Sequence, residues 1–235
     1  MPTFEQIYAA HAEDYDRLVE REDFRGNLID AIQQICPLDG LEVIELGAGT
    51  GRITRQLVPL VRHVRAFDAS AHMLSVARRR LEQSGFTNWA LDVADNAALP
   101  AADASVDLSI AGWSFGHQTS WAAERWPIQI GAAVDEMLRV LRPGGSAIII
   151  ETMGTGQRTP APPTPALAAY YAWLEGDRGF DYRWVRTDYQ FESTEEGEAL
   201  FRFFFGDALA DALVAGGSPV VPECTGIWSL RKEGG

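Results

Sequence analysis

The sequence predicts an α/β fold, a doubly wound and mostly parallel sheet with helices on both faces. Three observations predict it. Short apolar runs alternate with helical or loop segments between residues 41 and 151, the first run ends in the glycine cluster Gly47-Ala48-Gly49-Thr50-Gly51, and an acid, Asp68, closes the second run. Such alternation calls for parallel strands joined by right-handed crossovers.

Taken in order, Phe4, Ile7, Tyr8, Tyr15, Leu18 and Val19, then Phe24, Leu28, Ile32 and Ile35, recur at helical spacing. Leu41 to Leu46 then reads as a buried strand. Further strands are expected at Val64 to Phe67, Trp89 to Val93, Val106 to Ala111 and Ala147 to Ile150. A helix is expected from Ser70, a good N-cap, to Gly85, a good left-handed terminus. Leu138 to Gly145, ending Arg142-Pro143-Gly144-Gly145, closes another helix and turns into the Ile148 to Ile150 strand. Pro160, Pro162, Pro163 and Pro165 make a stiff connection before a helix near Leu167 to Leu174. After Tyr182, Trp184, Tyr189 and Phe191 come a helical patch from Glu195 to Val214, a Gly216-Gly217 break, and extended runs at Val220-Val221 and Ile227 to Leu230. There is no internal repeat.

One domain is expected over 1–235: a helical N-terminal cap at 1–40, a cofactor-binding core at 41–151, a substrate-lid insertion at 152–205, and a C-terminal helix with closing strands at 206–235. Hydrophobic residues at 46% and charged residues at 23% fit a globular chain. A net charge of −13 argues against nucleic acid, whose phosphates need clustered Lys and Arg. Arg78-Arg79-Arg80 reads as a solvated helix face. No apolar run approaches the ~20 residues that span a bilayer, and no basic-then-apolar leader opens the sequence, so the expected setting is the cytoplasm, away from membranes. Cys36 and Cys224 read as reduced and structural.

The chemistry centres on Glu45-Leu46-Gly47-Ala48-Gly49-Thr50-Gly51-Arg52, a loop whose glycines let a ligand approach the backbone closely. Asp68, at the end of the second strand, is placed to accept the hydroxyls of a ribose, or else caps the next helix. Asp95-Asn96, after the third strand, offers an acceptor for an exocyclic amine, or else forms a solvated turn.

With these motifs in order, and with Glu136-Met137-Leu138-Arg139-Val140-Leu141-Arg142-Pro143-Gly144-Gly145 after them, the chain resembles the class I S-adenosylmethionine-dependent methyltransferases, especially the small-molecule group that acts on quinones and natural products. The matching stretch runs from about Tyr15 to Glu151. The resemblance implies a Rossmann-like, seven-stranded sheet with a C-terminal antiparallel strand, and S-adenosyl-L-methionine as cofactor with S-adenosyl-L-homocysteine as product. It implies that Glu45, Gly47, Ala48, Gly49 and Gly51 lie at the methionine part, that Asp68 takes the ribose, and that Ala69 and Met73 pack on the adenine beside Asp95 and Asn96. Ala111, Gly112 and Trp113 face the sulfonium end, and Tyr15, with Tyr8, caps it; Tyr8, Tyr15 and Met73 read equally as core.

Methyl transfer is an in-line displacement with an activated leaving group, so positioning is the main catalytic requirement. A general base is needed where the acceptor must lose a proton, and His117, in Trp113-Ser114-Phe115-Gly116-His117, is the candidate, with a structural histidine as the other reading. No metal is expected, because few oxygen ligands gather after the fourth and fifth strands. Tyr170, Tyr171, Trp173, Phe180, Tyr182, Trp184 and Tyr189 either form a lid that holds a planar or cationic small-molecule guest or pack the insertion onto the domain. The expected activity is methyl transfer to an O, N or C atom. The alternatives are a non-catalytic S-adenosylmethionine-binding regulator and a nicotinamide-dependent oxidoreductase, whose G-x-G-x-x-G spacing the loop lacks.

Overall fold

Five parallel strands form the body of the protein: β1 (Glu42–Leu46), β2 (His63–Asp68), β3 (Trp89–Val93), β4 (Val106–Gly112) and β5 (Leu141–Thr155). The computed structural model describes residues 6, 7, 10–121 and 123–234, so the readings placed on Phe4 and Tyr8 lie outside the described residues. Beyond β5 come β6 (Asp181–Arg186), β7 (Tyr189–Gln190), β8 (Val220–Val221) and β9 (Glu223–Arg231). β9 runs antiparallel to β5 and β6 antiparallel to β9, giving a seven-stranded sheet in the order β3-β2-β1-β4-β5-β9-β6; β7 and β8 pair separately. The chain reverses its direction of travel across the sheet between β1 and β4, the crevice where open α/β sheets bind ligands.

Strand alternation divides the core. Val43, Leu108, Ile110, Ile148 and Ile150 pack on one face with Leu28, Ile32, Ile53, Leu57, Leu74 and Leu81. Ile44, Leu46, Phe67, Ala147 and Ile149 pack on the other with Ile130, Val134, Met137 and Tyr170. The helices are α1 (Ala12–Val19), α2 (Asn27–Ile35), α3 (Arg52–Leu57), α4 (Ala71–Ser84), α5 (Gln118–Trp121), α6 (Trp126–Val140), α7 (Pro165–Gly176), α8 (Thr194–Phe204) and α9 (Asp207–Gly216); α8 and α9 pack with Leu18, Tyr189 and Val221 in a third apolar cluster. α4 has the predicted ends: the Ser70 hydroxyl accepts from the Met73 N–H at 3.3 Å, and Gly85 is left-handed at φ 77°.

Four expectations change. The helical pattern from residue 4 to 35 divides into α1 and α2 because Asp23 (φ 56°) and Gly26 (φ 72°) turn the chain, while the Asp23 carboxylate caps α2 by accepting from the Asn27 and Leu28 N–H groups at 3.0 Å. The patch from 195 to 214 is two helices, broken at Gly206 (φ 85°). β5 runs well past Ile150, since β9 pairs with it as far as Thr155. Part of the segment read as a lid, 152–205, belongs to the sheet: β6 is its edge strand, and its mostly exposed Asp-Tyr-Arg-Trp-Val-Arg pattern lacks the apolar run that marks a buried strand. Within the same segment Tyr170, Tyr171 and Phe180 are core residues.

Of the three arginines read as a solvated face, Arg78 is exposed, with its guanidinium 5.9 Å from the Trp89 ring centre, while Arg79 and Arg80 work differently. Asp16 of α1, fully buried, accepts from Arg55 Nη2 at 3.1 Å and Arg80 Nε at 2.7 Å, Glu20 takes the same two guanidinium groups at 2.9 and 3.1 Å, and Arg79 pairs with Glu13. Arg21 adds Glu192 and Glu196 at 2.6 and 2.7 Å. These bonds fasten α1 across the carboxyl ends of the sheet. Because Asp16 is buried while its arginines keep some solvent, Asp16→Ala is expected to destabilise the protein by about 2 kcal/mol, read from the urea midpoint, and to speed proteolysis within α1.

Candidate active site

The loop from β1 to α3 is left-handed at Gly47, Gly49 and Gly51. At Gly47 (φ 66°) a Cβ would sit 1.9 Å from Ser114 Oγ, so only glycine lets this loop meet the loop after β4. Asp68 joins the two strand ends: Oδ2 accepts the Gly49 N–H at 2.8 Å and Oδ1 the Ser70 N–H at 2.7 Å. Burial raises its pKa, and these two bonds work against that rise.

A cavity of about 400 Å³ opens over these strand ends. Tyr15, Glu45, Gly47, Ala48, Gly49, Asp68, Ala69, Met73, Asn96, Trp113 and His117 line it. Gly51, Asp95 and Ala111 do not. Gly51 is the N-terminal turn of α3, where a Cβ would meet Ala77 at 3.1 Å. Asp95 is exposed and its carboxylate accepts the Ala97 N–H at 2.9 Å, the solvated turn. Ala111 points into the core, since strand alternation gives the cavity its neighbour Gly112. Thr50, Arg52, Ile53, Ser70, Ser114, Gln118 and Trp121 are walls the sequence reading did not single out. Thr50 Oγ1 and Asn96 Oδ1 are buried without hydrogen-bond partners among the described residues.

A second cavity, of about 130 Å³, shares Tyr15, Arg52, Trp113 and His117 with the first. Arg52 pairs with the buried Glu22 at 2.7 Å and lies 3.4 Å above the Trp113 ring. Its sequence signal was weak, because an arginine after a glycine loop reads as an ordinary helix start. Trp113 is left-handed at φ 49°, unusual for a bulky side chain, and its N–H donates to the Ile150 carbonyl at 2.7 Å. Among the described residues no group of three or more His, Cys, Asp or Glu could hold a metal.

Four titratable groups are held uncharged. Burial pushes Glu45 up to about 8, although the Thr54 hydroxyl donates to it at 2.5 Å. Burial likewise pushes Glu151 up to about 8, against the Gly116 N–H at 2.8 Å, and Tyr15 up to about 12. His117 is lowered by burial to about 4, while its ring bonds the Trp113 carbonyl and stacks on Trp121 at 5.2 Å.

Residues 43–145 match a family described as a methyltransferase domain. The matched stretch runs from β1 into β5 and is similar to methyltransferase domains. It is 31% identical over 151 residues to a malonyl-[acyl-carrier protein] O-methyltransferase of Pectobacterium atrosepticum, covering 64% of this chain and 53% of that one. It is 36% identical over 117 residues to a demethylmenaquinone methyltransferase of Clavibacter sepedonicus, covering 50% of this chain and 43% of the relative. The chain thus spans about half the length of these relatives. The fold is shared with the crystal structure of YcgJ from Bacillus subtilis, at a TM-score of 0.61 and 16% identity over 90% of this chain and 100% of the other. The methyltransferase domain as matched contains the glycine loop, Asp68, Asn96 and His117, whereas Tyr15, Glu22 and Glu151 fall outside it.

Glu151 holds the loop that carries His117, since its Oε1 accepts from Gly116. Folded, it keeps its proton to about pH 8; unfolded, it releases it near the ordinary 4.5. The stability it contributes is therefore complete below about 4.5 and is lost as the pH rises towards 8. Glu151→Gln keeps an acceptor for Gly116 and cannot ionise. The variant is expected to match the parent near pH 4.5 and to exceed it by at least about 1 kcal/mol near pH 8, measured by urea unfolding across that range.

Proposed function

We propose that this protein transfers a methyl group from S-adenosyl-L-methionine to an O, N or C atom of a small molecule, releasing S-adenosyl-L-homocysteine. The observation that carries the reading is the Asp68 carboxylate, fixed by two backbone N–H groups at the edge of a cavity floored by the glycine loop. Each of its oxygens keeps a lone pair for a ribose hydroxyl. The cavity's volume lies in the range of small-molecule sites. Its orphaned Asn96 Oδ1 suits an exocyclic amine, and its orphaned Thr50 hydroxyl suits another polar group. The residues present therefore fit the cofactor. When bound, it supplies a methyl group on a positively charged sulfur, which leaves readily.

In this reading Asp68 orients the ribose, Asn96 the base, and Ala69 and Met73 pack on the adenine. Gly47, Ala48 and Gly49 admit the amino-acid part, with Glu45 below them. Gly51 and Ala111 act through backbone shape, and Asp95 through the turn its carboxylate closes on the Ala97 N–H. Tyr15 and Trp113 close the end of the cavity that borders the second one, and α1, fastened by Asp16, excludes water there. His117 stands between the two cavities and is kept neutral, so it can accept a proton from an acceptor hydroxyl or amine. The 1–235 chain works as a single domain in the cytoplasm, with Cys36 and Cys224 as free thiols.

Calorimetry with S-adenosyl-L-homocysteine tests the site. Asp68→Ala is expected to weaken binding by roughly 10- to 100-fold, since hydrogen bonds to a charged group contribute about 1.5–3 kcal/mol. Unchanged affinity would remove the assignment. His117→Gln is expected to leave that affinity within about twofold and to lower the single-turnover methylation rate by roughly 10²-fold or more; an unchanged rate assigns His117 to structure instead.

A further inference from the structure

The second cavity has an unbalanced carboxylate. Glu223, on β9, is 2% exposed and lines it. The Thr152 hydroxyl donates to its Oε1 at 2.8 Å and the Thr155 side chain stands beside the carboxylate, whereas Oε2 is buried without a partner in hydrogen-bond geometry among the described residues. The other carboxylate of this cavity, Glu22, is satisfied: Arg52 lies 2.7 Å away and the Thr187 hydroxyl donates to it at 3.0 Å. That leaves two carboxylates facing one guanidinium, which lies over the face of Trp113 with its Nη2 2.7 Å from Glu22, an ion pair without hydrogen-bond geometry.

We propose, resting on the methyl-transfer reading, that this cavity is the substrate subsite and selects a molecule bearing a protonated amine on a small aromatic or apolar body, with the ammonium seated at Glu223. An ammonium donates to the orphaned Oε2 and balances the charge that Glu223 takes on as it ionises, which a carboxylate-bearing molecule cannot do. Burial and the neighbouring Glu22 push Glu223 up to about 8, so it gives up its proton readily only when a cation arrives. Tyr15, Tyr189, Phe204 and Phe205 supply the walls, whose ring faces attract a cation and pack an apolar body. A space of about 130 Å³ is close to the ~150 Å³ that holds a benzene ring. Because Tyr15, Arg52, Trp113 and His117 are common to both cavities, a molecule seated here reaches the first cavity beside His117.

The test titrates benzylamine, benzyl alcohol and benzoate by calorimetry into the protein alone and into the protein saturated with S-adenosyl-L-homocysteine. Benzylamine is expected to bind at least about tenfold more tightly than benzyl alcohol, with benzoate weakest. Glu223→Gln, which can still accept from Thr152, is expected to cost benzylamine about tenfold and to leave benzyl alcohol and S-adenosyl-L-homocysteine within about twofold. Benzoate binding as well as benzylamine, or benzylamine binding equally to Glu223→Gln, overturns the proposal; the ligand series on the parent protein decides it even if the variant does not fold. Loss of S-adenosyl-L-homocysteine binding with the amine preference intact sinks the methyl-transfer reading and leaves the ammonium subsite standing, whereas the reverse result sinks this inference alone.

Discussion

One carboxylate joins the ends of two strands. Asp68 closes β2 and accepts from Gly49, in the loop that leaves β1, and from Ser70, which caps α4. The bonds fix the glycine loop relative to the helix beside it, and so set the floor and one wall of the main cavity together. The second fixed approach is at Gly47, where the absence of a Cβ lets Ser114 come close and brings the loop after β4 onto the same floor. Everything else around the cavity is arranged on these two contacts.

Above that floor the protein spends burial on titratable groups. Glu45, Glu151, Glu223 and His117 are all pushed towards their neutral forms, chiefly by loss of solvent. Such groups cost stability at the pH where they would ionise, and a chain carrying them needs a compensating frame. The frame is the two-faced apolar core of the sheet, with α1 fastened over the strand ends by ion pairs whose carboxylate, Asp16, is buried and whose arginines reach solvent. Perturbed groups gathered in a cleft are a mark of functional sites; here Glu45 lines the first cavity, Glu223 the second and His117 both, while Glu151 holds the loop that carries His117.

Where sequence and structure part, the cause is tertiary pairing. β6 was missed because an edge strand with one covered neighbour needs no continuous apolar run. The helical pattern before residue 36 was legible, but its interruption was not, since Asp23 takes a left-handed turn that side chains seldom adopt. In the site, Gly47, Gly49, Asp68, Asn96 and His117 were legible because glycines and acids at strand ends have few other uses. Arg52, Glu22 and Glu223 were not, because single charged residues far apart in sequence carry no pattern until the fold brings them together.

The sequence by itself determined the doubly wound sheet, the glycine loop at its centre and the acid at the next strand end, because apolar periodicity, left-handed glycines and helix caps are properties of short stretches of chain. The tertiary structure alone decided that Arg79 and Arg80 pair with α1, that β9 lies between β5 and β6, and that Glu22, Arg52 and Glu223 line one cavity. Those are contacts between residues up to about two hundred positions apart, and only burial on folding makes their charges strong enough to matter.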